Sequence, residues 1–105
     1  MLKKLVQSYT RTSNTQPLVY PAKEEFEDEW NYIQTKYGNS LPTISSTDLS
    51  TNPNEIMTYI WEKVGEENII NDFVNDIVSE TGKLHNRVIW CQNNNVTFTY
   101  EITEV

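Results

Sequence analysis

The stretch ENIINDFVNDIVSE, residues 67–80, carries the clearest pattern in the chain. Its apolar residues recur at the spacing of one helical face, and they are Ile69, Ile70, Phe73, Val74, Ile77 and Val78. Polar residues, among them Asp72 and Asp76, fill the opposite side, and Gly82 follows where a helix commonly ends. The spacing predicts an amphipathic helix that packs at the centre of the fold.

A second apolar stripe lies earlier in the chain. Its members recur every three or four positions, and they are Ala22, Phe26, Trp30, Ile33 and Tyr37. Pro21 suits the first turn of a helix, where its missing N–H costs nothing, and Gly38 suits the position just past the end. The pattern therefore predicts a helix from Pro21 to Tyr37.

Residues 52–65 carry the signals of another helix. Asn52 can cap its start, Pro53 fits the first turn, and Glu55 completes a capping-box spacing. A wide apolar face follows, made of Ile56, Met57, Tyr59, Ile60, Trp61 and Val64. Gly65 is the expected stop.

The remaining segments favour strands. Residues 4–12 alternate loosely, and a short strand is expected at 43–46 within the polar connection 39–52. Residues 87–92 and 96–103 predict a C-terminal β-hairpin that turns at the asparagines 93–95. The length of that turn is open, so the pattern does not fix whether Trp90 is buried.

The predicted fold class is therefore α+β, in one domain spanning residues 1–105. We expect a small antiparallel sheet, formed by the N-terminal strand and the C-terminal hairpin, packed with about three α-helices.

Acidic residues are concentrated in EEFEDEW, residues 24–30. The chain has a net charge of −7; this stretch supplies −5, and −7 minus −5 leaves −2 for all other residues. The carboxylates are Glu24, Glu25, Glu27, Asp28 and Glu29. Basic residues are scattered, which argues against direct binding of nucleic acid.

The simplest interpretation of this acidic cluster is a solvated helix start, because the helix dipole favours negative charge there. The cost is repulsion between like charges one turn apart, as between Glu24 and Asp28. That cost leaves a second interpretation, in which the five acids and the neighbouring Trp30 contact a protein partner.

Motifs for catalysis, cofactors and metals are missing from the sequence. The three glycines, Gly38, Gly65 and Gly82, are each expected after a helix and form no phosphate loop. One cysteine, Cys91, and one histidine, His85, are too few for a zinc site and lack a third group for nucleophilic catalysis. We therefore expect no catalytic residue, no metal, no cofactor and no enzymatic activity.

The apolar runs and the cysteine content indicate where in a cell the protein is located. The chain has no apolar run that suits a signal peptide or a membrane helix, and its single cysteine cannot form an internal disulfide. We expect a cytoplasmic protein of the host-cell interior, or a protein incorporated into a virion assembled there.

Two hypotheses for function follow. The first is a non-enzymatic protein that contacts other protein chains, including copies of itself, as a small structural or assembly component of a phage or mobile element. The alternative is a small acidic inhibitor that binds a basic site on a nuclease or nucleic-acid-binding protein. Neither hypothesis includes a membrane, direct nucleic-acid contact or a small-molecule substrate.

Overall fold

The computed structural model describes residues 1–11, 26–48 and 58–105. In chain order the elements are β1 (Leu2–Arg11), α1 (Glu27–Lys36), β2 (Thr43–Asp48), β3 (Thr58–Glu66), α2 (Glu67–Val78), α3 (Asn86–Asn93) and β4 (Val96–Glu104). A 3₁₀ turn at Gly38–Ser40 connects α1 to β2. None of the helices in these ranges has the length and apolar character needed to cross a bilayer.

The strands form one antiparallel sheet with the order β2-β3-β1-β4. β1 lies in the middle and pairs with β3 on one side and with β4 on the other. In chain order β1 is followed by α1 and β2, and β3 is followed by α2, α3 and β4. Together with the strand order, these two β–α–β units give the ferredoxin-like arrangement. The predicted α+β class is confirmed: within the described ranges, three α-helices accompany a four-stranded antiparallel sheet.

One face of the sheet packs against the helices. Along β1, Leu5, Gln7 and Tyr9 are buried while their neighbours are half-exposed, because successive side chains of a strand point to opposite faces. The register sets Lys63 opposite Leu5 and Trp61 opposite Gln7. Directly paired residues share a face, so polar as well as apolar side chains of β1 and β3 point towards the helices.

The apolar core forms where α2 lies on this face. Ile70, Phe73 and Ile77 are almost fully buried and pack with Leu5 and Leu84. Each such side chain contributes about 1.5–3 kcal/mol through removal of apolar surface from water. The central amphipathic helix predicted over 67–80 is confirmed as α2.

A buried carboxylate connects α1 to α2. The Oδ2 atom of Asp76 accepts hydrogen bonds from the hydroxyls of Tyr37, at 2.6 Å, and Tyr32, at 2.7 Å, and lies 3.3 Å from the Lys36 ammonium. Burial alone would raise the pKa of Asp76, but these donors outweigh it and hold the pKa below its usual range. The prediction that Asp72 and Asp76 both lie on a solvated face is correct for Asp72 and wrong for Asp76.

The helix predicted over residues 53–64 is wrong, because this part of the chain forms β3 from Thr58 onwards. Asn52 and Pro53, the predicted start, lie outside the described residues. Gly65 lies inside the strand instead of ending a helix. A Cβ atom at this position would lie 2.8 Å from the carbonyl oxygen of Ser40, so the strand needs glycine to pass the 3₁₀ turn.

The predicted C-terminal hairpin is also wrong in its first strand. Residues 87–92 belong to α3, and β4 pairs with β1 instead. Arg87 and Cys91 are one helical turn apart and both buried, so the segment has the period of a helix as well as a β-prone composition. Trp90 is half-buried and packs beside Cys91.

The helix predicted from Pro21 is shorter in the structure. Phe26 lies in a turn, and α1 begins at Glu27; Pro21 and Ala22 are outside the described residues. Ile33 and Tyr37 pack against the core as predicted. The strands expected at 4–12, 43–46 and 96–103 are confirmed as β1, β2 and β4.

Candidate functional site

A cavity of about 190 Å³ lies between the helix-facing side of the sheet and the helices. Its walls include Gln7 from β1, Trp30 from α1, Trp61 and Lys63 from β3, Phe73 from α2 and Arg87 from α3. The exposed residues Gln34 and Pro42 also line it, so the cavity opens to solvent between α1 and β2. A cavity of roughly 150 Å³ holds benzene, so this one has room for a single ring with a small substituent.

Lys63 is the most unusual residue of the cavity, because its side chain is charged and the residue is only 6% exposed. Its Nζ donates a hydrogen bond to Oγ1 of Thr43 at 2.8 Å. The Nζ also lies 5.1 Å from the ring centroid of Trp61 and 5.8 Å from that of Phe73, within the range of cation–π attraction.

The electrostatic surroundings of Lys63 disfavour its charge. No carboxylate of the described residues lies within 4.0 Å of its Nζ. Burial lowers the pKa of Lys63 from 10.5 to about 8, and the positive charge of Arg87 lowers it further in the same direction. The site therefore holds an ammonium group that a nearby anion would stabilise.

Arg87 brings a second cation to the same cavity. The residue is 7% exposed, and its guanidinium carbon lies 4.6 Å from the ring centroid of Trp30. Guanidinium groups stack on aromatic faces and remain charged at any physiological pH, so Arg87 is a fixed positive charge beside a flat apolar wall.

Trp30 offers this cavity a hydrogen-bond donor. Its ring centroid lies 5.9 Å from that of Trp61, so the two indoles form adjoining parts of the wall. The Nε1 atom of Trp30 is buried and has no hydrogen-bond partner among the described residues. Buried donors of this kind are rare and call for an explanation, such as a ligand that accepts the bond.

The exposure of the acidic side chains in the stretch 24–30 differs in part from the prediction. Glu24 and Glu25 lie outside the described residues, while Glu27 and Asp28 are exposed as expected. Glu29 contradicts the prediction, since it is only 8% exposed. It lies one helical turn before Ile33, so it shares the inward face of α1.

The pKa of Glu29 reflects its burial. Burial raises its pKa, and the charge of Arg87 opposes this rise. The role of the six predicted partner-binding residues in contact with another protein stays a prediction, as do the partners expected for the chain.

The cavity residues Gln7, Lys63 and Arg87 are missed by the sequence analysis. Each is a single polar residue within a different element, and no local motif connects them. One signal was available in β3, where Tyr59, Trp61 and Lys63 alternate with smaller or acidic neighbours at the period of a strand.

The nucleophile and metal candidates do not form a site. Cys91 packs with Tyr9 and Val96, and burial raises the pKa of its thiol to about 11 despite the opposing charge of Arg87. The Nδ1 atom of His85 lies 2.9 Å from the carbonyl oxygen of Ile77. Across residues 1–11, 26–48 and 58–105, no group of three or more metal-binding side chains comes together.

No protein-family model and no curated protein matches the sequence. Among solved structures, the chain is similar to a variant of SnoaB, a cofactor-independent oxygenase from Streptomyces nogalater. The likeness covers 99% of this chain and 92% of the oxygenase, with 8% sequence identity and a TM-score of 0.47. These values assign no activity or residue role to this chain.

The functional hypotheses drawn from the sequence are corrected here. Neither the structural component nor the acidic inhibitor is supported by the described residues. Of the acids in the stretch 24–30 that the structure describes, Glu27 and Asp28 are exposed whereas Glu29 is buried, so these acids form no single exposed patch. Both hypotheses are withdrawn, and the expectation that the chain is not an enzyme has no support.

Proposed function

We propose that this protein acts on small molecules and binds a small, planar carboxylate compound in the cavity lined by Lys63 and Arg87. The observation that carries the proposal is the meeting of two buried cations in one cavity, with no described carboxylate paired to Lys63.

Burial of a charge is expensive unless an opposite charge accompanies it. Lys63 has one neutral hydroxyl partner, Thr43, and the faces of two aromatic rings. An anion at about 4 Å attracts a cation by about 4 kcal/mol at the effective dielectric constant that suits protein sites. A bound carboxylate would therefore relieve a cost that the ligand-free fold carries.

The shape of the cavity supports a planar ligand. Trp30, Trp61 and Phe73 supply apolar walls, and flat rings favour flat partners. A volume of about 190 Å³ suits a compound of benzoate size. The indole N–H of Trp30 and the carboxamide-bearing Gln7 are available as polar contacts that orient such a ligand.

Tryptophan fluorescence tests this proposal directly, because two indoles line the cavity. Benzoate is titrated into the protein, and benzamide, its neutral analogue of the same shape, is titrated in parallel. We expect benzoate to change the emission and to bind at least about tenfold more tightly than benzamide, which corresponds to about 1.4 kcal/mol of charge recognition.

Two matched lysine variants control the titration. Lys63→Met keeps the volume of the side chain and removes the charge, so it should abolish most of the preference for benzoate. Lys83→Met removes an exposed lysine that does not line the cavity and should leave the preference unchanged. Equal affinity for benzoate and benzamide in the unmodified protein would refute the proposal.

A further inference from the structure

The geometry points to a covalent role for the same residue: we infer that the amine of Lys63 forms an imine with a small aldehyde or ketone that carries a carboxylate. This inference rests on the proposed function, since the carboxylate of the compound is what the cavity would recognise. It adds a reaction and names the substrate class as small oxo acids and related carbonyl compounds.

The first support is the position of the amine. Lys63 lines the cavity, and its Nζ is held by the hydrogen bond to Thr43 at 2.8 Å. The ring centroids of Trp61 and Phe73 lie 5.1 and 5.8 Å from this Nζ. An amine fixed by packing and by one hydrogen bond loses little entropy when it meets a carbonyl carbon.

The second support is that the two cations of the cavity suit different roles. Arg87 cannot lose its proton and is suited to hold a carboxylate, whereas an amine becomes a nucleophile once it is neutral. Burial, followed by the charge of Arg87, lowers the pKa of Lys63 to about 8. With this pKa about a tenth of the amine is neutral at pH 7 and about half at pH 8, whereas an ordinary exposed lysine is almost fully protonated at both.

The lone pair of the neutral amine attacks the carbonyl carbon, so that a C–N bond forms and the C=O π bond breaks. One proton moves from the nitrogen to the oxygen, which gives a neutral carbinolamine. The hydroxyl group then takes one proton from solvent and leaves as water, the C–O bond breaks, and the nitrogen lone pair forms the C=N bond of the iminium. In sum, amine, carbonyl and one proton give iminium and water, with no oxidant or reductant.

Two aromatic rings near the amine also shield such an intermediate. Water hydrolyses an imine back to amine and carbonyl, so rings that limit the access of water lengthen the life of the imine. The iminium keeps the positive charge of the lysine ammonium, and the cation–π contacts with Trp61 and Phe73 would remain.

Borohydride trapping provides the test. The full chain is incubated at pH 8 with glyoxylate, a small oxo acid, and reduced with sodium borohydride, which delivers hydride to the iminium carbon and fixes the adduct as a secondary amine. Peptide mapping by mass spectrometry then locates the adduct. We expect Lys63 to carry most of the adduct, benzoate to suppress it, and acetaldehyde, which lacks the carboxylate, to label Lys63 at least about tenfold less.

The controls separate this inference from a general reactivity of lysines. Lys63→Arg keeps the charge without the amine and should lose the adduct, whereas Lys83→Arg should keep it. Adducts confined to exposed lysines such as Lys83, or no adduct at all, would overturn the inference. If benzoate still bound selectively in the fluorescence titration, that result would leave the proposed carboxylate site standing.

Discussion

The Nζ atom of Lys63 lies 2.8 Å from the Oγ1 atom of Thr43, across the pairing of β2 with β3 that sets these two residues opposite each other. Among the described side chains, the hydrogen bond that the Lys63 ammonium donates thus goes only to its own sheet partner, Thr43. The register of β2 and β3 therefore positions Lys63 in the cavity. Its ammonium has three donors, and those that Thr43 does not use can bind a ligand.

The first prediction concerns the cost of Lys63 to the fold. The folded-state pKa of about 8 lies below the ordinary 10.5. Below pH 8 the buried ammonium costs the fold its full penalty, about 3 kcal/mol from the size of this shift. Between pH 8 and 10.5 the unfolded chain binds more protons than the folded chain, so stability should rise with pH across this window.

Lys63→Met tests this cost. It should raise the free energy of unfolding at pH 7 by about 1–3 kcal/mol and flatten the rise above pH 8. Urea unfolding of both proteins at pH 7, 8 and 9.5 measures the difference. A variant that is less stable than the parent at pH 7 would show that Lys63 supports the fold instead of straining it.

The second prediction concerns the pH dependence of binding. A bound carboxylate favours the charged form of Lys63, so benzoate binding should take up a proton above pH 8. The affinity for benzoate should be constant from pH 6.5 to 7.5 and should fall by up to about tenfold per pH unit above 8, until the remaining attraction of Arg87 sets a floor. Fluorescence titrations at several pH values measure this profile. An affinity that increases above pH 8 would contradict the role of the ammonium.

The third prediction concerns the carboxylate between α1 and α2. Asp76→Asn removes the charge that accepts hydrogen bonds from Tyr32 and Tyr37, and should lower the free energy of unfolding by about 1–3 kcal/mol at pH 7. The exposed Asp72 offers a matched control, since its contact with Lys36 at 3.1 Å is a surface ion pair, and Asp72→Asn should cost less than about 1 kcal/mol.

The Asp76 network also predicts behaviour in acid. The pKa of Asp76 in the folded chain is below the ordinary 3.8. Its contribution is therefore present above that ordinary value and is lost as the pH falls from about 4 through the lower folded-state pKa. Acid unfolding curves followed by circular dichroism should therefore show less loss of stability below about pH 4 in Asp76→Asn than in the parent protein. Identical acid transitions in parent and variant would refute the assignment.

The sequence predicts some elements well for a physical reason. In α2 the apolar residues, from Ile69 to Val78, match only the helical period, and polar residues fill the other side. In β3, by contrast, Ile60 and Val64 are one helical turn apart, and the strand face includes Lys63, a charged residue in a buried position. The charge of Lys63 breaks the apolar alternation that would have identified the strand.

The residues of the cavity were even harder to predict from the sequence than strand β3. Trp30 is predicted to contact a protein partner, and the structure shows that it lines the cavity. Gln7 and Lys63 meet only because β1 pairs with β3, and Arg87 joins them only because its segment is a helix. Strand order and register depend on contacts between distant residues, which the local pattern of a single sequence does not contain.

The indole signals of a ¹H–¹⁵N NMR spectrum test the central claim, carboxylate binding in the Lys63–Arg87 cavity, most directly. Single Trp→Phe variants assign the three signals, and benzoate is then titrated into the unmodified protein. The Trp30 and Trp61 signals should shift, the Trp30 N–H most, because it gains an acceptor, while Trp90, which does not line the cavity, should stay in place. Stationary Trp30 and Trp61 signals throughout the titration, or a shift of Trp90 alone, would contradict the account.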